Sequence, residues 1–306
     1  MAEPTAAKVT SIFIYPIKSY HGISVSQAAL TSTGFRWDRQ WLVVNSKGRA
    51  YTQRVEPKLA LVEVTLPNEA FSESFFFYTF SESWEPTKSS YLVIKAPGTD
   101  VLKVSLSKPS EISNGVSVWE WSGSAFDEGA EASKWFSYYL GKPSRLVRFN
   151  EGSAQSIAVL YACNLSETRT VDRNYARGYK VMFSDGYPLL LLSQGSLDAL
   201  NKHLKDPLPV NRFRPNILVD GCEPFSEDLW KEMRINKLTF HGVKLCSRSK
   251  ENLLVLRPTR KQQGKVYFGQ NLVCPDSLNQ MEGKTIKVGD PIYVIKMASS
   301  CTDAAA

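Results

Sequence analysis

The sequence holds few of the residues that build metal clusters and cross-linked scaffolds. Among 306 residues there are three histidines and five cysteines. Cys163, Cys222, Cys246, Cys274 and Cys301 are odd in number, widely spaced and free of any CxxC pair, which argues against a disulfide framework or a zinc cluster and fits a reducing compartment. His21, His203 and His241 have no metal-ligand spacing to one another. No apolar run reaches the length of a signal peptide or a membrane span, so no membrane span is expected and the cytoplasm is the default location. Net charge is +7, yet no dense Lys/Arg block stands out. This disfavours nucleic-acid binding and suits a local site for an anion. GxSxG, HExxH, Walker A and a post-strand GxGxxG are all missing, and no paired-carboxylate motif is evident.

What is present is a large apolar fraction, 43%, with 22% charged residues, enough for a sizeable core. The first half reads as short strands: Val9 to Tyr15, Trp41 to Val44 and Ala60 to Leu66, then FFFYTF, YLVIKA and GVSVWEW, separated by Gly, Pro, Asn and Ser. Such spacing suggests a barrel or sandwich. Ala132, Trp135, Phe136, Tyr139 and Leu140 recur at helical spacing before Gly141-Lys142-Pro143, so a helix is expected there. Residues 150–180, polar and carrying Arg169, Arg173 and Arg177, read as a linker or surface loop. Beyond them, PLLLL reads as a buried strand, and Ser193 can cap a helix bearing Leu197, Leu200 and Leu204. A short helix is expected around Phe225, Leu229, Trp230 and Met233, followed by strands in INKLTFHGVKL, LLVLRP and TIKVGDPIYVIK. The expected class is α+β but β-rich: an N-terminal β-barrel-like domain over 1–125, a helix and linker over 126–180, and a second β-barrel domain with a few packed helices over 181–306.

Five short motifs carry candidate chemistry. Tyr15-Pro-Ile-Lys18-Ser19 places an ammonium and a hydroxyl at a strand end, suited to a phosphate or to a plain surface turn. Trp37-Asp38-Arg39 is either a binding pair or a structural ion pair. Phe183-Ser184-Asp185-Gly186-Tyr187-Pro188 has turn chemistry whose amides can form an anion nest. Asn211-Arg212-Phe213-Arg214-Pro215 brings guanidinium groups, the side chain best matched to bidentate phosphate recognition. Cys246-Ser247-Arg248 ends a strand, where a neighbouring cation can depress a thiol pKa, although a buried inert thiol is equally compatible.

In this order, and over about Val9 to Lys296, these motifs resemble the MOSC family, specifically its two-part members, the amidoxime-reducing components, and most of all the plant ones. The resemblance implies an N-terminal MOSC barrel plus a MOSC domain with a molybdenum cofactor, a phosphorylated pterin, held between them. It implies that Lys18, Ser19 and Arg39 contact the phosphate or pterin, that Ser184, Asp185, Gly186 and Tyr187 line it, that Arg214 anchors it, and that Ser247 and Arg248 approach it. The implied reaction is reduction of small N-hydroxylated compounds, amidoximes and hydroxylamines, with electrons from cytochrome b5 and NADH-cytochrome b5 reductase. A non-catalytic cofactor-binding or carrier protein is the alternative.

The sequence departs from this pattern at one place. The family reads Cys-Ser-Arg-Cys with its second cysteine on the metal, whereas here Cys246-Ser247-Arg248 runs into Ser249. The family's longer following loop is also missing, and the pattern resumes near Arg260-Lys261-Gln262 after a shortened segment around 249–260. A clean departure and return imply an omitted coding block, which alignment with the genomic locus would test. A serine hydroxyl is a harder, far less acidic donor than a thiolate, so Ser249 implies weak metal loading. Cys246, three residues earlier and roughly 10 Å away along an extended strand, substitutes only if that strand bends.

Overall fold

A computed structural model describes residues 6–72, 84–151, 169–171, 176–248, 261–262, 265–278 and 284–299, with backbone alone for 244–248, 261–262 and 265–267. The expected FFFYTF and LLVLRP strands, and Cys163, Arg173, Ser249 and Cys301, lie outside the described residues.

Seven strands close into a barrel. Leu189–Ser193 pairs in parallel with Ile217–Asp220, which pairs with the opening strand Ala7–Ile14. The circuit continues through Pro291–Met297, Trp230–Ile235, Leu238–Arg248 and Lys265–Val273, which returns to Leu189–Ser193. Closure leaves these seven without a free edge. The first strand of the chain thus belongs to the same barrel as the last, with Ala7 opposite Ile292.

The rest of the N-terminal half forms a half-barrel. One sheet orders Trp41–Asn45, Ser144–Phe149, Trp121–Asp127 and Ile112–Val118, and another orders Glu63–Thr65, Tyr91–Lys95 and Leu102–Ser105. Residue 125 lies within the strand Trp121–Asp127. Alternation explains these elements: Tyr91–Lys95 and Leu102–Ser105 bury Leu92, Ile94, Leu102 and Val104 and expose or half-expose the residues between. One hydrophobic cluster runs from Ile12 and Trp41 through Phe136 to Ile217 and Ile292, so both halves share a core.

Among the described residues there are two α-helices. Ala130–Leu140 buries Ala132, Phe136 and Leu140 and ends at Gly141, whose φ of 68° is the left-handed cap that glycine adopts without strain. Gln194–Asn201 starts at Ser193, whose hydroxyl accepts the Ser196 amide as the capping rule requires. Leu204, expected on this helix, lies just past its end.

Two expectations are corrected. The segment around Phe225 to Met233 is a short 3-10 turn, Ser226–Leu229, followed by the strand Trp230–Ile235. Its apolar residues mimic a helical spacing, but pairing on both sides with Leu238–Arg248 and Pro291–Met297 overrides that local signal. GVSVWEW is strand at both ends, as expected, Gly115 to Val118 and Trp121, with a two-residue bend between them where Trp119 has φ 54°. The stretch 150–180 is not wholly a surface loop: Arg169–Thr170 pairs with Lys180–Val181, and Arg169 is buried.

Candidate functional site

One pocket draws together residues from four separated motifs: Lys18, Arg39, Ser184 through Tyr187, and Arg214, closed behind by Leu189, Leu190, Phe213, Asn216 and Asn271. Each reaches the pocket for a local reason.

Lys18 follows the opening barrel strand and is 3% exposed. Its Nζ donates to the Phe183 carbonyl at 2.8 Å and to Asp185 Oδ1 at 2.5 Å. Burial pushes its pKa down to about 8. Asp185 opposes that shift, while Arg169 and Arg214 add to it. Ser19 is buried beside it in the left-handed region, φ 70°, with its carbonyl accepting from Gln53. Ser19 does not line the pocket.

Arg39 also has positive φ, 49°, an uncommon conformation for a residue with a Cβ. It is held there from several directions. Its Nη1 donates to Asp38 at 2.6 Å, its Nη2 donates to the Arg214 carbonyl at 3.1 Å, and its guanidinium stacks 4.2 Å from the Tyr15 ring. Burial raises the Asp38 pKa, an effect opposed by Arg39 and by hydrogen bonds from the Tyr15 amide and Asn216. The Tyr15 hydroxyl donates to the Pro215 carbonyl. The first and fourth motifs are thereby tied together through the second.

The turn Ser184 to Tyr187 is anchored just before its start. Phe183 is fully buried, packs edge-on to Phe149 and Trp121, and donates its amide to the Arg39 carbonyl. Burying such a ring contributes roughly 1.5–3 kcal/mol. Beneath the turn lies Arg169, which donates to the Met182, Ser184 and Asp185 carbonyls. Burial lowers its pKa. The sequence reading missed this residue, and its position inside a polar stretch gave no signal of burial. Gly34, at φ 118°, lets the neighbouring hairpin approach the Pro188 carbonyl, which a Cβ would meet at 2.8 Å.

Three cations and one carboxylate therefore face one space, and Asp185 is 57% exposed, 3.9 Å from Arg214. A Cβ on Gly186 would meet no atom within 4 Å, so the pocket is open where the turn backbone faces it. The donor set fits a phosphate with hydrogen-bonding neighbours. Among the described residues no group of three or more His, Cys, Asp or Glu side chains could hold a metal, and none of the described lining residues offers a thiol or imidazole; Ser249 and the Cys246 side chain lie outside them. Cys274 is buried with its thiol pushed up to about 11, and Cys222 lies against Ser193 with its pKa also raised by burial.

The strand that carries Cys246, Ser247 and Arg248 runs through Arg248, with register shifts at Gly242/Lys244 and Leu245/Ser247. Ser247 pairs with Tyr267, four residues along that strand from the pocket residue Asn271. At the usual strand rise this is about 13 Å. The side chains of Ser247 and Arg248 lie outside the described residues.

Residues 6–143 match the MOSC N-terminal beta barrel domain and residues 178–293 match the MOSC domain. The mouse protein named mitochondrial amidoxime-reducing component 1 is 31% identical over 94% of this chain and 82% of its own length. The chain belongs to the MOSC family. The human protein of the same name is 30% identical with the same coverage. A rice protein named molybdenum cofactor sulfurase is 30% identical over 92% of this chain but only 35% of its own length. This MOSC chain is therefore related both to proteins named amidoxime-reducing components and to about a third of one named molybdenum cofactor sulfurase. Among the described residues no helix is long and apolar enough to cross a membrane.

Proposed function

We propose that this MOSC protein binds the molybdenum cofactor by its phosphate in the Lys18–Arg39–Arg214 pocket and reduces small N-hydroxylated compounds at a diminished rate. The observation that carries the reading is the convergence of those three cations on the Ser184–Tyr187 turn. Lys18 and Arg214 would hold phosphate oxygens, displacing Asp185 from its ion pairs, while Arg39 keeps its fixed place on Asp38 and Tyr15. Asp185 is largely exposed and can turn to water at small cost. Ser247 and Arg248, further along the neighbouring strand, would approach the far end of an elongated ligand.

The bound cofactor would supply the two-electron couple that, with two protons, turns an N-hydroxyl group into N–H and water. Electrons from cytochrome b5 and its NADH reductase fit this reading, as does a location shared with relatives named mitochondrial. The diminished rate follows from Ser249, which stands where the family pattern has a thiolate. That same residue favours a second reading, a cofactor-binding or carrier protein without turnover. Molybdenum and pterin content of the purified chain tests both. Pterin with sub-stoichiometric metal and slow amidoxime reduction supports the first reading, pterin with no turnover supports the second, and absence of pterin sinks both.

A further inference from the structure

The bend at Trp119 is used by neither the barrel nor the pocket turn. Trp119 is the first residue of a two-residue hairpin loop, where positive φ favours glycine. Yet the position carries the largest side chain, and it is 50% exposed. Its indole lies beside a pocket residue: Lys18 Nζ is 5.8 Å from the ring centroid and the Arg54 guanidinium 5.7 Å. Both separations sit at the outer limit of cation–π contact, well beyond the roughly 3.5–4 Å of stacked atoms. Arg54 is exposed and, among the described residues, has no acidic partner.

The hairpin that presents this indole is anchored. Trp121, two residues on, packs 5.8 Å from Phe149 and 6.2 Å from Phe183, and Gly123 leaves room for its ring, which a Cβ would meet at 2.4 Å. Phe183 is the residue whose carbonyl holds Lys18. The exposed indole, the buried ammonium and the pocket turn are therefore fixed to one another through a single aromatic cluster.

We infer that Trp119 and Arg54 form a stacking wall for a flat conjugated ring whose phosphate sits on Lys18. Resting on the anion-pocket reading above, this names the shape of ligand the pocket selects. The 5.8 Å between Nζ and the indole requires the ring to be joined to its phosphate by a short tether. The indole face supplies dispersion and quadrupole contact, and Arg54 closes the edge.

Isothermal titration of the full chain with phenyl phosphate and with inorganic phosphate tests this. Wild type is expected to bind phenyl phosphate about tenfold more tightly than inorganic phosphate. Trp119→Ala is expected to bring that ratio near one while leaving inorganic phosphate affinity unchanged, and Trp119→Phe to keep most of it. A ratio that survives Trp119→Ala, or equal weakening of both probes by it, overturns the wall. Phosphate binding to wild type without any advantage for the ring overturns the wall alone. Failure of both probes to bind overturns the wall and the anion pocket together.

Discussion

Replacing Lys18 with methionine should make the protein more stable at neutral pH while weakening its hold on anions. Lys18 is fully inside the protein, and burial brings its pKa from the ordinary 10.5 to about 8. At about 1.36 kcal/mol per pKa unit, holding it protonated at pH 7 costs roughly 3 kcal/mol relative to the unfolded chain. The sign follows from proton counting. Between pH 8 and 10.5 the unfolded chain keeps a proton on this lysine that the folded chain has lost, so stability rises with pH across that window. Cys274 opposes it above pH 9, because its folded thiol stays protonated up to about 11, and Tyr20, whose pKa burial raises, opposes it above pH 10. The difference between wild type and Lys18→Met removes those shared contributions. Urea unfolding at half-unit steps from pH 7 to 10.5 should show Lys18→Met more stable by about 1–3 kcal/mol at pH 7, allowing for the donor lost by the Phe183 carbonyl. That advantage should shrink steadily above pH 8. Phosphate affinity should fall about tenfold or more in the same variant, since a charge-assisted contact is removed. A variant that is less stable at pH 7, or a difference that stays flat across the range, would refute the reasoning.

Arg148 is enclosed by Glu128, Trp41 and the Ser105, Leu106 and Ser107 carbonyls. Arg148→Met leaves that carboxylate buried without its partner and should cost about 3–5 kcal/mol in urea unfolding. Phe183→Ala should lose about 3–5 kcal/mol as well, and it should weaken phosphate binding because the turn and Lys18 share that anchor. Ser249→Cys should raise the ratio of molybdenum to pterin in purified protein, measured by elemental analysis and cofactor fluorescence; an unchanged ratio would mean that the thiolate is not what limits loading. Cys274 should react with a thiol reagent at pH 8 only after denaturation, because burial keeps its sulfur protonated.

The side chains that meet at the pocket were legible as motifs because each is a short polar run abutting a strand, where charged groups have few structural reasons to gather. Lys18 and Arg39 are separated by three short strands, Ile23–Val25, Gln27–Thr31 and Gly34–Phe35, and the Ser184–Tyr187 turn lies far beyond Arg39 in the chain, so only the fold places them together. Arg169 was illegible for the opposite reason: its partners are backbone carbonyls, which leave no trace in side-chain identity. The helix expected near Phe225 failed because apolar residues at four-residue spacing fit a helix locally, while two flanking strands competed for the same backbone. The hairpin at Trp119 was hidden because its bend lacks the Gly or Asn that marks most such turns.

The barrel's seam between Ala7–Ile14 and Pro291–Met297 has a consequence for biosynthesis. The strand Ala7–Ile14 is made early, yet one of its partners, Pro291–Met297, follows nearly 280 residues later. At about 5–20 residues per second the opening strand waits tens of seconds with one edge unmatched. Only its hairpin neighbour Ile23–Val25 arrives promptly, covering Ile12 to Ile14, while Ala7 and Lys8 stay open to any passing strand. The half-barrel can assemble during that interval, but the circular sheet closes only once Pro291–Met297 has been made. Folding of this chain is therefore timed by the arrival of its last strand.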